Sequence, residues 1–343
     1  MTGEGNSPRG MTFSLTFGNS ISQRSFFAYP VEEEGMSALY GRDVLSVADL
    51  TRDEITTLLD QARYMEDAVR RTDRLRLLDG KILATLFYEP STRTRLSFES
   101  AMLRLGGSVI SVAEAQTSSS AAKGETLFDT GKMIEGFAHV AVIRHPERGS
   151  AAELARGASI PVINGGDGTG EHPTQALLDL YTLVREKGSL DGLHVALVGD
   201  LKNGRTVHSL VQALVRWQVK LAFVAPEALK MPVEVKEKLA GVKFQETDDL
   251  AAALREADVA YVTRIQKERF ADPAEYEKLK GAYVVDRKLI ESAKPGLTIL
   301  HPLPRVDEIA TNADDLPGAA YFRQARNGVY MRMALLAMVL GAR

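Results

Sequence analysis

The 343-residue chain has no cysteine. Disulfides, thiolate zinc sites and a cysteine nucleophile are therefore excluded, and the composition is compatible with a cytoplasmic location. Positive charge is not in excess. Forty-two Lys and Arg face 45 Asp and Glu, a formal net charge of −3, which removes the bulk basic signature of a nucleic-acid binder. Any cation that matters must act locally. No apolar run approaches the ~20 residues a membrane helix needs. The Walker A loop and the Gly-x-Gly-x-x-Gly turn of nucleotide-binding folds are both missing, and no metal-ligand cluster is evident. What remains is an ordinary globular composition, 45% hydrophobic and 25% charged. Its length exceeds what one core usually supports, so two domains are expected.

Residues 1–37 are rich in Gly, Ser and Asn and carry the run Glu32-Glu33-Glu34. They lack the apolar core of a signal peptide and the arginines of a transit peptide, and read as a flexible extension. Short apolar pieces around Phe13 and Phe26 offer a means of docking on a partner. Beyond Ser37 order is expected. Thr51 and Glu54 form a capping box ahead of the stripe Ile55, Leu58, Leu59 and Ala62.

Apolar strand candidates then alternate with helical segments. One series is 82–88, 109–113, 140–144 and 161–164. A second is 195–199, 221–225, 259–263, 283–286 and 298–300. Near-continuous apolar runs of this kind suit parallel strands buried on both faces. The fold class expected is α/β, two doubly wound domains, each with a mainly parallel sheet. A helix over 172–187 joins the two series. A last apolar helix, 328–340, is expected to return to the first domain.

In such sheets ligands bind beyond the carboxyl ends of the strands. The first run ends in Glu89-Pro90, and Ser91, Thr92, Arg93, Thr94 and Arg95 then open a helix. A helix start offers unpaired N–H groups and the positive end of a dipole. Two kinds of hydroxyl and two guanidinium groups complete an anion cradle. Later ends supply Arg144-His145-Pro146, His172-Pro173-Thr174-Gln175, Gly204-Arg205, Arg264-Ile265-Gln266 and His301-Pro302-Leu303-Pro304-Arg305. A lone arginine at a strand end is as readily a surface ion pair, and His172 as readily a helix cap. Taken together, though, so many cations at matching places call for polyanionic ligands.

These four motifs, Ser91 to Arg95, Arg144-His145-Pro146, His172 to Gln175 and His301 to Pro304, resemble the carbamoyltransferase family, in their order and over nearly the whole chain from about Leu39. The detail is similar to the members that use aspartate. Ornithine-using members carry a cysteine where this chain has Pro302, and a second cation would suit acidic partners better than the arginines found here. Ornithine or a related amino acid as acceptor is the alternative within the family. A non-catalytic anion-binding module on the same fold is the alternative outside it.

The resemblance implies transfer of a carbamoyl group from carbamoyl phosphate to the amine of L-aspartate, an early step of pyrimidine biosynthesis, with no cofactor and no metal. It implies that Ser91, Thr92, Arg93 and Thr94 hold the phosphate. Arg144 would bridge phosphate and carbonyl oxygen, His172 would donate to that oxygen, and Gln175 would bind the carbamoyl amide. Arg205, Arg264 and Gln266 would take the two carboxylates of aspartate, and the backbone at Leu303 and Pro304 the amide and amine groups. Ser119 and Lys123 would reach in from a neighbouring subunit of a homotrimer, Lys123 touching both substrates. The implied domains are 38–173 with 328–343 for carbamoyl phosphate and 174–327 for aspartate. Whether a regulatory chain or a pathway assembly joins the trimer is left open by the sequence.

Overall fold

Every strand pair among the described residues is parallel, as the apolar runs require. The structure, a computed structural model, describes residues 37–72, 75–239, 241–267, 270 and 272–342. Apart from Ser37, the N-terminal extension lies outside the described residues.

The first sheet holds β1 (Ile82–Phe87), β2 (Ser108–Ala113), β3 (Val140–His145) and β4 (Val162–Asp167) in the order β2-β1-β3-β4. The second holds β5 (His194–Val198), β6 (Lys220–Val224), β7 (Lys243–Thr247), β8 (Val259–Val262) and β9 (Thr298–Leu300) in the order β7-β6-β5-β8-β9. Each order reverses direction once. In the first sheet the chain moves outward from β1 to β2, then returns to place β3 on the other side of β1. In the second it moves from β5 out to β7, then returns to place β8 beside β5. Loops leaving the paired strands at a reversal diverge and open a crevice. The two crevices lie at the carboxyl ends of β1 and β3, where Phe87 faces Arg144, and of β5 and β8, where Val198 faces Val262.

Two strand expectations need correction. The run 283–286 makes no strand, only a single bridge from Val285 to Ile309. Asp286 caps the next helix by accepting from Leu289 N–H at 2.8 Å, and this turns the chain away before a ladder can grow. Conversely β7 was not legible. Its sequence, KFQET, is mostly polar because it is an edge strand whose residues are largely exposed.

The helices are α1 (Arg52–Arg71), α2 (Thr92–Arg104), α3 (Ala115–Ser118), α4 (Leu127–Ile134), α5 (Ser150–Gly157) and α6 (Pro173–Lys187). After them come α7 (Arg205–Leu214), α8 (Val233–Lys236), α9 (Leu250–Glu256), α10 (Pro273–Leu279), α11 (Arg287–Glu291) and α12 (Tyr321–Val339). The expected capping box forms: Thr51 Oγ1 accepts from Glu54 N–H at 3.2 Å, and Thr51 N–H donates to the Glu54 carboxylate at 2.8 Å. Helix α12 begins at Tyr321 rather than Gly328, and it packs on α1, α2 and α6, so the C-terminal segment does return to the first sheet's helices. Helix α6 is buried on every side from Pro173 to Leu183. Its first turn can therefore hold side chains in place with little freedom. No helix among the described residues is long and apolar enough to cross a membrane.

Helices α4 and α5 meet through glycine. A Cβ on Gly157 would lie 2.1 Å from the Phe128 carbonyl oxygen, and one on Gly131 2.5 Å from that of Leu154. Backbone cannot yield as a side chain can. Gly157→Ala is expected to lower unfolding free energy by about 1–3 kcal/mol, measurable by urea titration; an unchanged midpoint would contradict this packing.

Candidate functional site

Both crevices open into one cleft of about 470 Å³. The start of α2 forms one wall. Ser91 is its N-cap in extended backbone, makes no side-chain cap bond, and the first turn carries no acidic residue. The helix end thus keeps its N–H groups and positive field for a ligand. Thr94 is buried, and burial lowers the pKa of Arg93. Ser91, Thr92, Arg93 and Thr94 all line the cleft. Arg95, read as part of the cradle, does not; its Nε lies 3.9 Å from the Glu99 carboxylate on the same helix.

The end of β3 brings in Arg144. Its Nε faces Glu89 Oε2 at 3.4 Å, and Arg205 Nη2 approaches the same oxygen at 3.5 Å. Neither Arg144 Nε nor Glu89 Oε2 has a hydrogen-bond partner, so this is charge contact without directed bonding. Arg205 Nη1 donates to Gly168 carbonyl oxygen at 2.6 Å. Gly166, at φ +118°, lets the two guanidinium groups come close: an added Cβ would sit 3.2 Å from Arg144 Nη1 and 3.3 Å from Arg205 Cζ. Burial, then repulsion from Arg205, holds the Arg144 pKa down to about 10, with Glu89 opposing. Two guanidinium groups share one carboxylate, so the site is short of negative charge.

His172 holds the N-cap position of α6 without a side-chain cap bond and is 4% exposed. Its backbone N–H donates to Ser209 Oγ at 3.0 Å, and its Nδ1 has no partner. Burial, followed by the fields of Arg144, Arg205 and Arg332, pushes its pKa well below the ordinary histidine value. The imidazole is neutral at neutral pH. One turn on, Gln175 lines the cleft and donates to Asp179 through Nε2. From the second sheet come Arg205 at the start of α7, and Arg264 and Gln266 after β8. Gln266 is seated by its N–H on Asp200 Oδ2 at 3.4 Å and by Nε2 on Asn203 carbonyl oxygen at 3.3 Å.

Leu303 and Pro304 also line the cleft, joined by a cis peptide bond, with Leu303 at φ 55°. Their loop hangs on a buried histidine. Leu303 N–H donates to His301 Nδ1 at 2.7 Å, and His301 Nε2 meets Glu308 Oε1 at 2.6 Å. Nδ1 accepts, so the hydrogen belongs on Nε2. Arg305 belongs to another cluster: it pairs with Asp314 and does not line the cleft. Ser119 and Lys123 are not among the lining residues of this chain either. Ser119 starts the 3-10 turn Ser120–Lys123, and Lys123 is exposed.

Two segments of the sequence match models of known families. Residues 42–185 match the carbamoyl-P binding domain of aspartate/ornithine carbamoyltransferase, and residues 191–339 match the Asp/Orn binding domain. The chain belongs to the aspartate/ornithine carbamoyltransferase family. It is 52% identical over 308 residues to the aspartate carbamoyltransferase catalytic subunit of Leptospira biflexa, covering 89% of this chain and 99% of that one. Among solved structures it is similar to the catalytic subunit of M. jannaschii aspartate transcarbamoylase, with 51% identity, TM-score 0.81, and 86% and 97% of the two chains covered. It is also similar to aspartate transcarbamoylase from Trypanosoma cruzi in complex with carbamoyl phosphate and aspartate. There the identity is 42%, the TM-score 0.85, and the coverage 90% and 99%.

For a carbamoyltransferase, three cleft residues stand out that strand-end reading missed. Glu89 is the carboxylate between two arginines; its place directly after a strand, amid cations, was the available signal. Arg332 comes from α12, is 3% exposed, and reaches Thr174 Oγ1 at 3.3 Å with its guanidinium over the Phe98 ring. Burial brings its pKa down to about 9. A charge inside an apolar helix run was its signal. Gln324, also on α12, gave none.

Burial lowers the pKa of His145, His172, His208 and His301 alike. Below about pH 6.5 the unfolded chain binds protons at these positions that the folded chain refuses, so stability falls as pH falls, by up to about 1.4 kcal/mol per pH unit for each histidine that stays neutral. Asp179 works oppositely: burial raises its pKa to about 7, so its contribution is present at low pH and is lost as pH rises through 7. Four groups outweigh one. Urea unfolding is expected to give lower stability at pH 5.5 than at 7.5; equal or higher stability at 5.5 would contradict the buried neutral state.

Proposed function

We propose that this chain transfers the carbamoyl group of carbamoyl phosphate to the amine of L-aspartate, giving N-carbamoyl-L-aspartate and phosphate. The observation that carries the reading is the meeting of two anion sites in one cleft, around the buried His172. A helix-start cradle lies at one sheet's reversal, and Arg205, Arg264 and Gln266 lie at the other's. The relatives' names agree with it.

In this reading the amine nitrogen attacks the carbamoyl carbon and negative charge grows on the carbonyl oxygen. Thr94, Arg144 and His172 are the donors for that oxyanion. A neutral imidazole keeps one N–H to donate, and it adds no third cation beside Arg144 and Arg205. Ser91, Thr92, Arg93 and Thr94 hold the phosphate, and Arg144 also steadies it as the carbon–oxygen bond breaks. The proton lost by the amine goes to the departing phosphate. Gln175 binds the carbamoyl amide, with the backbone of Leu303 and Pro304 beside it. Arg205, Arg264 and Gln266 take the carboxylates of aspartate. Orientation and fixed charge supply the acceleration. The division into 38–173 with 328–343, and 174–327, assigns one domain to each substrate.

The working unit is a homotrimer in which Ser119 and Lys123 of one chain complete the cleft of its neighbour. Exposed apolar side chains support this. Leu96 and Leu103 on α2 and Ile110 on the adjoining edge strand β2 are each at least 40% exposed, apolar surface that a neighbouring chain would cover. The reaction serves pyrimidine synthesis in the cytoplasm.

The decisive experiment supplies carbamoyl phosphate with aspartate or with ornithine and measures the carbamoylated product. Turnover with aspartate is expected. Turnover with ornithine alone would overturn the assignment, and turnover with neither would favour a binding module.

A further inference from the structure

Asp179 is a carboxyl beside the cleft with no exposed surface, and none of the steps above uses it. Three side chains from three elements converge on it. Gln175 Nε2, one turn earlier on α6, donates to Oδ1 at 2.8 Å. Gln324 Nε2 on α12 donates to the same oxygen at 2.6 Å. Tyr261 on β8 donates its hydroxyl hydrogen to Oδ2 at 2.8 Å. With Oδ1 unprotonated, the polarity of this network is fixed. A backbone N–H can only donate, and that of His301 donates to Gln324 Oε1 at 2.8 Å. Gln324 must therefore turn its nitrogen to Asp179, and Oδ1 must accept. Gln175 must then also present its nitrogen to Oδ1. Protonation of Asp179 at Oδ2 would leave that arrangement intact. The atom of the Gln175 amide left for the cleft is its oxygen.

We propose that Asp179 is a positioning residue that fixes the Gln175 amide with its oxygen toward the cleft, so that the site selects an acyl phosphate bearing N–H on its acyl carbon over one bearing methyl. The proposal rests on Gln175 meeting the carbamoyl amide, as argued above. An oxygen there accepts from the carbamoyl –NH2. A freely turning amide would offer its own –NH2 half the time, donor against donor. Against acetyl phosphate, whose methyl group neither donates nor accepts, the orientation of Gln175 gains nothing. Discrimination is therefore the quantity that isolates the effect.

The test measures dissociation constants for carbamoyl phosphate and acetyl phosphate with the full-length protein and its variants. Gln175→Ala is expected to lower discrimination about five- to tenfold. Asp179→Leu is expected to lower it by a similar factor while leaving acetyl phosphate affinity unchanged, and to add nothing in a Gln175→Ala background. Asp179→Asn can keep an oxygen at the Oδ1 position and turn its nitrogen to the Tyr261 hydroxyl oxygen. It is expected to retain discrimination within about twofold. If Asp179→Leu does not fold, Asp179→Ala gives the same reading. Discrimination lost in Gln175→Ala but kept when the acceptor is removed from Asp179 overturns this proposal alone. Loss in Asp179→Asn equal to that in Asp179→Leu also overturns it, because charge rather than acceptor placement would then be at work. Discrimination kept in Gln175→Ala overturns the carbamoyl role of Gln175 itself.

Discussion

Arg144→Ala is expected to lower kcat/KM at least about a thousandfold while leaving the unfolding midpoint near that of the parent chain. The two halves of this expectation have separate physical causes. Arg144 stands at the reversal of the first sheet, where β3 ends beside β1, and in the proposed reaction its guanidinium touches both the leaving phosphate and the carbonyl oxygen. Its removal forfeits charge stabilisation on both sides of the breaking bond. Stability responds differently. In the cleft Arg144 is largely buried close to Arg205 with one shared carboxylate, and its depressed pKa records that discomfort. Truncation relieves the repulsion, and Glu89 keeps Arg205 as a partner. Arg144→Lys retains a charge but not the fork, and should recover only part of the loss. Steady-state kinetics and urea titration check both halves. A loss below about tenfold would show that Arg144 does not touch the reacting atoms.

The same contrast explains which parts of the site could be seen in the sequence. Residues 91–94, Arg144, His172, Arg205 and Arg264 follow directly on strands or open helices, and a parallel sheet delivers such residues to one edge whatever the details of packing. Pattern alone located them. Arg95 and Arg305 met the same rule and failed it, because each found a nearby carboxylate, Glu99 and Asp314, that the rule cannot weigh. Arg332 and Gln324 were missed for the opposite reason. They enter through the packing of α12 across α6 and α2, a contact between segments far apart in the chain. Asp179 lay in plain sight inside His172 to Lys187, yet nothing local distinguishes a buried hub from a solvated helix position. The edge strand β7 escaped because exposure on both faces removes the apolar signal that marks β1, β3 and β8.

Mixing Lys123→Ala chains with Arg93→Ala chains is expected to restore about a quarter of the parental activity, although each variant alone is inactive. The figure follows from ring geometry. If each cleft takes Arg93 from one chain and Lys123 from the next, a native cleft needs a Lys123→Ala chain followed by an Arg93→Ala chain. In an equal random mixture each place is filled correctly half the time. If both residues served the cleft of their own chain, every cleft in every mixed trimer would lack one of them and no activity would return. The prediction therefore turns on where Lys123 acts, not on whether it matters. Within this chain Lys123 sits on the exposed turn after α3 and is absent from the cleft lining, while α2 and β2 present apolar side chains to solvent. A neighbour seated on that side would cover those side chains and carry its own Lys123 toward the cleft. Subunit exchange under mild denaturant, followed by assay against unmixed controls, gives the answer, and persistent inactivity after verified exchange would return the complete cleft to a single chain.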